Sequence, residues 1–188
     1  RVYADYFRPW VTDPRVALVE DDGRHFLAES TDLYDVIQLS GVDSYSGTPG
    51  AAHVFSESYL YTAEAFDLYL SRLSERGVLN MMRLEHAPPR EMLRALTTAV
   101  GALRRRGVTK PRDHLVTLTE ITGNFTAMLV KRTPFVEAEI EKLRAWSSQR
   151  PSFGISFEPA SSKSEIRNTY QEFMALDAPL IRTARSED

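Results

Sequence analysis

The chain has 188 residues, of which 43% are hydrophobic and 26% charged, a composition typical of one globular domain with a sizeable core. Its net charge of −3, with both signs interspersed, argues against nucleic-acid binding, and the lack of cysteine excludes disulfides and thiolate metal sites. The absence of cysteine also fits a reducing compartment, so a cytoplasmic location is expected. No apolar run has spanning length, so this segment is not expected to contact a membrane.

The first part of the sequence predicts a strand, a helix and a second strand. Apolar residues at helical spacing predict a short helix over residues 2–7, which is expected to end at Pro9. Residues 16–19 form an apolar run that predicts a buried strand, and residues 24–30 predict a helix. A second buried strand is predicted over residues 36–39. A strand–helix–strand unit of this kind builds a parallel sheet.

A long helix, a strand and another long helix are predicted next. The first helix is expected to start at Ser56 or Ser58 and to end at Gly77, where a C-terminal cap suits glycine. A third strand is predicted over residues 78–84. The second helix is expected to be opened by two prolines and stopped at Gly107.

The remaining elements are a hairpin and two helices. Residues 115–119 and 125–130 predict two antiparallel strands joined by a short turn. Helical spacing predicts helices over residues 137–147 and 163–176. No metal-ligand spacing relates the histidines to one another or to carboxylates, so no metal site is predicted among His25, His53, His86 and His114.

The longest predicted connection runs from Ser40 to Ser56, between the strand at residues 36–39 and the helix that follows. It is rich in glycine, serine, proline and aspartate, and connections of this length are usually functional or disordered. In open α/β sheets, ligands bind beyond the carboxyl ends of the strands. The start of this connection is therefore predicted to form a site.

Several short motifs together resemble the spermidine synthases and their bacterial spermidine-synthase-like relatives. They occur in the family's order and at about its spacing: DPRV at 13–16, DDGRHFL at 21–27, YDVI at 34–37, LYTAEAF at 60–66 and GVL at 77–79. The run SESYLYT at 56–62 is most similar to long bacterial members that carry transmembrane helices outside this segment. These proteins are built on the S-adenosylmethionine-dependent methyltransferase fold.

The resemblance implies an α/β fold with a Rossmann-like, methyltransferase-type, mostly parallel sheet, helices on both faces and a C-terminal antiparallel hairpin. The chain begins at Arg1 instead of Met, and its match starts after the family's first two strands, so an N-terminally truncated domain lacking those strands is expected. The partial domain is assigned to residues 1–150 and a C-terminal extension with one helix to residues 151–188. Residues 16–19 are expected to pair directly with residues 36–39 in a five-stranded sheet, with a homodimer contact along the weakened region.

For the intact protein, the resemblance implies transfer of an aminopropyl or methyl group to a small amine or other acceptor. The donor would be S-adenosylmethionine or its decarboxylated form. The family's adenine-binding acid falls on Asp22, with Gly23 allowing close backbone approach, although Asp22 is equally suited to cap the helix at Arg24. The family's Gly-rich loop and ribose-binding acid have no counterpart, so this piece alone is expected to bind no cofactor.

Two further positions of the resemblance fall on Ser40 and Asp43. In spermidine synthases the first is an aspartate that acts as the base, and the second is an aspartate that holds the diamine. Ser40 cannot accept an ammonium proton at neutral pH without a neighbouring base, so aminopropyl transfer to putrescine is not expected. Asp43 would bind a cation or organise its own loop. A non-catalytic domain that binds a ligand or partner through the Ser40–Ser56 loop therefore stays open as an alternative.

Overall fold

The structure is a computed structural model, and the residues it describes are 4–40, 59–84, 89–120, 125–161 and 166–175. These residues contain six α-helices and five β-strands. The chain divides into two compact units, Arg1–Ser30 and Thr31–Asp188.

The first unit contains two helices, α1 at Ala4–Thr12 and α2 at Gly23–Glu29. The predicted stop at Pro9 is wrong, because proline removes one helical hydrogen bond but keeps a helical φ, and α1 continues to Thr12. The predicted strand at residues 16–19 is also wrong, since these residues have no regular structure. Leu18 and Val19 are 70% and 57% exposed, so this apolar run lacks the neighbouring strand that its burial would require.

The second unit contains a five-stranded sheet in the order β1-β2-β4-β3-β5. The strands are β1 at Tyr34–Ser40, β2 at Leu73–Leu84, β3 at Leu115–Glu120, β4 at Phe125–Lys131 and β5 at Phe153–Phe157. β1 and β2 pair in parallel, whereas the pairs β2–β4, β4–β3 and β3–β5 are antiparallel. The sheet therefore has a parallel half and an antiparallel half.

This architecture confirms the predicted α/β methyltransferase-like fold and the β3–β4 hairpin. The prediction of a mostly parallel sheet is wrong, because the described sheet has one parallel pair of strands and three antiparallel pairs. Residues 16–19 do not join β1, and the fifth strand is β5, which lies in the predicted extension and was not predicted. The division between residues 150 and 151 stays a prediction.

Helices cover both faces of the sheet. They are α3 at Ala63–Arg72, α4 at Arg90–Arg105, α5 at Glu137–Ser148 and α6 at Thr169–Ala175. Ile140 of α5 packs with Val116 and Leu118 of β3 on one face. Side chains that alternate with these across the sheet, including Leu79 and Met128, are fully buried on the opposite face, which α3 and α4 cover. Burying one such side chain stabilises the fold by about 1.5–3 kcal/mol.

Two glycines have different structural roles. Gly77 does not cap a helix as predicted, because α3 ends at Arg72 and Gly77 lies inside β2. A Cβ at Gly77 would lie 2.6 Å from the backbone oxygen of Tyr34, so the close approach of β1 and β2 requires glycine there. Gly107 does end α4 as predicted: its φ is +82°, and its N–H donates to the carbonyl oxygen of Arg104 at 2.9 Å.

Candidate functional site

The carboxyl ends of the parallel strands β1 and β2 lie side by side in the second unit. Ser40, the last residue of β1, pairs in register with Met82, and Arg83 is the next residue of β2. This is the part of an open α/β sheet beyond which ligands bind. Tyr61 and Glu91 both contact Arg83, and we refer to these two residues together with Ser40 and Arg83 as the β1–β2 edge.

Ser40 is exposed at this edge, as the sequence predicts for the residue that follows the buried part of the strand. Its Oγ accepts a hydrogen bond from Nε2 of Gln38, which lies on the same face of β1. An amide donor leaves the hydroxyl proton in place, so this contact does not turn Ser40 into a base. Asp43, the other predicted active-site residue, lies outside the described residues, as does most of the Ser40–Ser56 loop.

Arg83 is a functional candidate that the sequence analysis did not identify. Its side chain is 12% exposed, and its guanidinium carbon lies 4.1 Å from the centroid of the Tyr61 ring. Its Nη1 lies 3.5 Å from Oε2 of Glu91, in the first turn of α4. The sequence did contain a signal for this candidate, because an arginine stands at the carboxyl end of a strand whose preceding residues are mostly apolar.

The ring that supports Arg83 is held by local hydrogen bonds. Tyr61 belongs to a 3-10 turn, Tyr59–Tyr61, that directly precedes α3. Thr62 is the N-cap of α3, and its Oγ1 accepts from the backbone N–H of Ala65 at 3.2 Å. The hydroxyl of Tyr69, a residue with 1% exposure, donates to the carbonyl oxygen of Leu60 at 3.0 Å. The first turns of α3 therefore fix the position of Tyr61.

A buried polar atom lies near the edge, on β2. Oδ1 of Asn80 is buried and has no hydrogen-bond partner within the part of the chain that the structure describes. Asn80 pairs in register with Gln38, so the two amide side chains lie on the face of the sheet that also carries Ser40. An orphaned acceptor of this kind is uncommon in a folded core.

Asp22 and Gly23 belong to the first unit, where they form the start of α2. Oδ1 of Asp22 accepts from the backbone N–H groups of Arg24 and His25, each at 3.0 Å, which confirms the capping interpretation. A Cβ added at Gly23 would meet nothing within 4 Å. Adenine binding by Asp22 and Gly23 stays a prediction.

The described residues were compared with the features of a metal site and of a membrane-spanning helix, and they show neither. In the described ranges, no group of three or more His, Asp or Glu residues is arranged to hold a metal ion. No helix among those residues combines the length and the apolar character needed to cross a bilayer.

The five-stranded sheet with helices on both faces has a methyltransferase-like α/β fold. The structure is similar to the crystal structure of a probable spermidine synthase from Corynebacterium glutamicum, with a TM-score of 0.54 and 17% sequence identity over 92% of this chain and 57% of that one. At this identity the likeness concerns the fold. Spermidine synthase from Thermotoga maritima gives a TM-score of 0.41 at 18% identity, over 95% of this chain and 52% of that one.

Sequence comparison gives a more particular result. The chain is 33% identical over 100 residues to polyamine aminopropyltransferase 2 of Pseudomonas aeruginosa, a match that covers 49% of this chain and 27% of that protein. No family model matches the chain. The resemblance that the motifs predicted is confirmed: the chain is similar in sequence to a polyamine aminopropyltransferase and in fold to a probable spermidine synthase.

Proposed function

We propose that this chain is part of a transferase domain that, in the intact protein, moves an aminopropyl or methyl group to a small amine or other acceptor. The donor is decarboxylated S-adenosylmethionine or S-adenosylmethionine. The observation that carries this proposal is the 33% identity to a polyamine aminopropyltransferase. The position of Ser40 and Arg83 at the carboxyl ends of the parallel strands supports it, because ligands bind there in open α/β sheets.

The proposed chemistry makes specific demands on the acceptor side. The acceptor nitrogen forms a bond to the donor carbon next to sulfur, the carbon–sulfur bond breaks with its electron pair going to sulfur, and the nitrogen then loses a proton. The acceptor must therefore arrive as a neutral amine and in line with the breaking bond. Ser40 aims a hydroxyl at this region but supplies no base, so the proton passes to Asp43 or to water.

A non-catalytic domain that binds a ligand or partner is the second candidate function. The hydrogen bond from Gln38 to Ser40 favours it, because the position where the resemblance expects a catalytic base holds a neutral hydroxyl. The two functions differ in whether the intact protein turns over its donor.

Product analysis of the intact protein tests the proposal. Every aminopropyl transfer from decarboxylated S-adenosylmethionine releases methylthioadenosine, whichever acceptor is used, and every methyl transfer from S-adenosylmethionine releases S-adenosylhomocysteine. We expect one of these products with a mixture of amine acceptors, and no spermidine when putrescine is the sole acceptor. Absence of both products with every acceptor would favour the non-catalytic alternative.

We also propose that the 188-residue chain alone does not bind the donor measurably. Asp22 is the described side chain suited to a nucleoside, and its Oδ1 already caps α2. Calorimetric titration with S-adenosylmethionine and methylthioadenosine should give no heat of binding, and micromolar affinity would contradict this.

Self-association and location complete the proposal. Among the described strands β1 pairs with β2 alone, and an unpaired strand edge invites pairing, so we propose a homodimer. Light scattering that gives the 21.3 kDa monomer mass at all concentrations would contradict it.

The lack of cysteine supports a cytoplasmic location, which fractionation of the source cells would test.

A further inference from the structure

The first unit leaves an apolar stripe exposed on helix α1. Its side chains, Tyr6, Phe7, Trp10 and Val11, are 72%, 54%, 66% and 57% exposed. They are three and four residues apart, a spacing that places them on one side of the helix. Among residues 6–30, for which burial is described, Leu27 is the one buried residue. The first unit therefore has almost no apolar core of its own to hold α1.

A helix as short as α1 needs contacts along its apolar side. It has nine residues, and isolated helices shorter than about 12–15 residues are marginal in water. Pro9 lies inside the helix and has no backbone N–H to donate. Most helical stability in proteins comes from packing of an apolar face against another element. The exposed stripe is therefore the feature of α1 that calls for a partner.

The size of the stripe suits a weak interface between two copies of the chain. Its three aromatic side chains are between about half and three quarters exposed. Because a buried aromatic side chain removes about 150–250 Å² from solvent, two facing stripes would bury roughly 800 Å² in total. Stable interfaces bury about 1,200–2,000 Å², and transient ones bury less. Two stripes can thus support a dimer that forms and dissociates with concentration.

The composition of α1 favours a second copy over a membrane surface. Helices that lie on membranes carry many lysine and arginine residues on their polar side. The charged residues of α1 are one aspartate and one arginine, Asp5 and Arg8, so the helix has no excess of positive charge. Interfaces between identical subunits are more apolar than other interfaces, and aromatic residues are enriched in them. A largely aromatic stripe without excess charge matches that class of interface.

Building on the self-association proposed above, we infer that α1 is a contact surface for α1 of a second copy of this chain. In an antiparallel, two-fold arrangement, Phe7 of one copy faces Trp10 of the other, and Tyr6 faces Val11. The rings of Tyr6 and Phe7 already meet edge to face within one copy, with centroids 5.2 Å apart. Aromatic pairs stabilise a contact beyond the area that they bury. This contact is separate from the unpaired edge of β1.

Trp10 fluorescence tests this contact in the 188-residue chain. The chain has two tryptophans, so the Trp146→Phe variant leaves Trp10 as the single reporter. We expect its emission maximum to move to shorter wavelength as the mass from light scattering rises from 21.3 kDa towards twice that value. Both changes should occur at micromolar or higher protein concentration, because the interface is small. A monomer mass at all concentrations, or a rising mass while the emission stays that of an exposed indole, overturns the inference.

Substitutions of matched exposure assign the contact to the stripe. We expect Trp10→Ser to weaken the dimer by about tenfold or more, because buried tryptophans often dominate interfaces. Val11→Ser should weaken it less. Val136→Ser, in the second unit, is the matched control, because Val136 is as exposed as Val11, at 57%, and it should leave the dimer unchanged. Equal weakening in Val11→Ser and Val136→Ser, or an unchanged dimer in Trp10→Ser, refutes the assignment.

The outcomes separate the α1 contact from the proposals above. A dimer that survives Trp10→Ser would overturn the α1 contact and keep the proposed homodimer, whereas a strict monomer would overturn both. Vesicles of anionic phospholipid, added where the chain is monomeric, should leave Trp10 emission unchanged. A shift to shorter wavelength with vesicles would overturn the second copy as the partner in favour of a membrane surface. None of these measurements needs a donor, so product analysis of the intact protein tests the transferase proposal independently.

Discussion

The two halves of the sheet each contain an ion pair, and the two pairs differ in length and in exposure. In the antiparallel half, Lys131 of β4 and Glu139 of α5 form a short, nearly enclosed pair that ties the helix to the sheet. At the end of the parallel half, Arg83 and Glu91 form a longer pair whose carboxylate is more exposed. The first pair is therefore expected to contribute more to the stability of the fold than the second.

The largest difference between the halves is expected in stability. Lys131→Met leaves the mostly buried Glu139 without its partner, which should cost about 3 kcal/mol. Glu91→Gln removes the half-exposed carboxylate of the longer pair and should cost about 1 kcal/mol or less. Urea unfolding of both variants checks this order, and equal losses would show that the two pairs are not different in kind.

Gly77→Ala tests how the parallel half is held together. A Cβ there would lie 2.6 Å from the carbonyl oxygen of Tyr34 and 2.9 Å from the backbone nitrogen of Ser74, neither of which can move like a flexible side chain. Separating β1 from β2 should cost about 2 kcal/mol, the usual scale of overpacking. Urea unfolding measures this loss, with Gly23→Ala as the matched control because its Cβ would meet open space. A stability equal to that of the wild type would mean that the strands are not in close contact.

Tyr69→Phe tests the hydrogen bond that holds the turn carrying Tyr61, the residue whose ring contacts Arg83. Removal of the hydroxyl leaves the carbonyl oxygen of Leu60 without its donor, so we expect a loss of about 1 kcal/mol in unfolding free energy. Urea unfolding measures this loss, and a stability equal to that of the wild type would show that this hydrogen bond does not hold the turn that carries Tyr61.

The smallest expected effect is a pH dependence confined to the antiparallel half. Burial raises the pKa of Glu139, but the hydrogen bonds from Lys131 and from the backbone N–H of Val136 outweigh it and lower this pKa below the ordinary value of 4.5. A carboxyl group whose pKa is lowered by folding stabilises the fold above its unfolded pKa, and this contribution disappears as the pH falls through the folded pKa. The stability difference between wild type and Glu139→Gln should therefore be full near neutral pH and shrink below 4.5. A difference that is constant with pH would contradict the ion pair.

The parts of the fold that the sequence predicted are those set by local pattern. Alternating apolar residues gave the β3–β4 hairpin, and Gly107 marked the end of α4 because only a left-handed residue completes that cap. The exposed run at residues 16–19 was misassigned, because an apolar run does not show whether a neighbouring strand exists. Gly77 was misassigned for a related reason, since a glycine that suits a helix cap also suits a close approach between strands.

The candidate site was predictable only in part. Ser40 was located correctly at the end of a strand, because strand ends follow from the apolar pattern and the loop that succeeds it. Arg83 was missed because its environment is made by Tyr61 and Glu91, which precede and follow it on other elements and which no local spacing connects to it. The capping role of Asp22 was predicted, because an N-cap depends on its immediate neighbours.

The most direct test of the contrast between the halves is a double-mutant cycle on each ion pair. Urea unfolding would be measured for Lys131→Met, Glu139→Gln and their double variant, and for Arg83→Met, Glu91→Gln and their double variant. Our account predicts a larger coupling free energy for Lys131 and Glu139, whose contact is shorter and more buried, than for Arg83 and Glu91. Equal coupling free energies, or a larger one for Arg83 and Glu91, would contradict it.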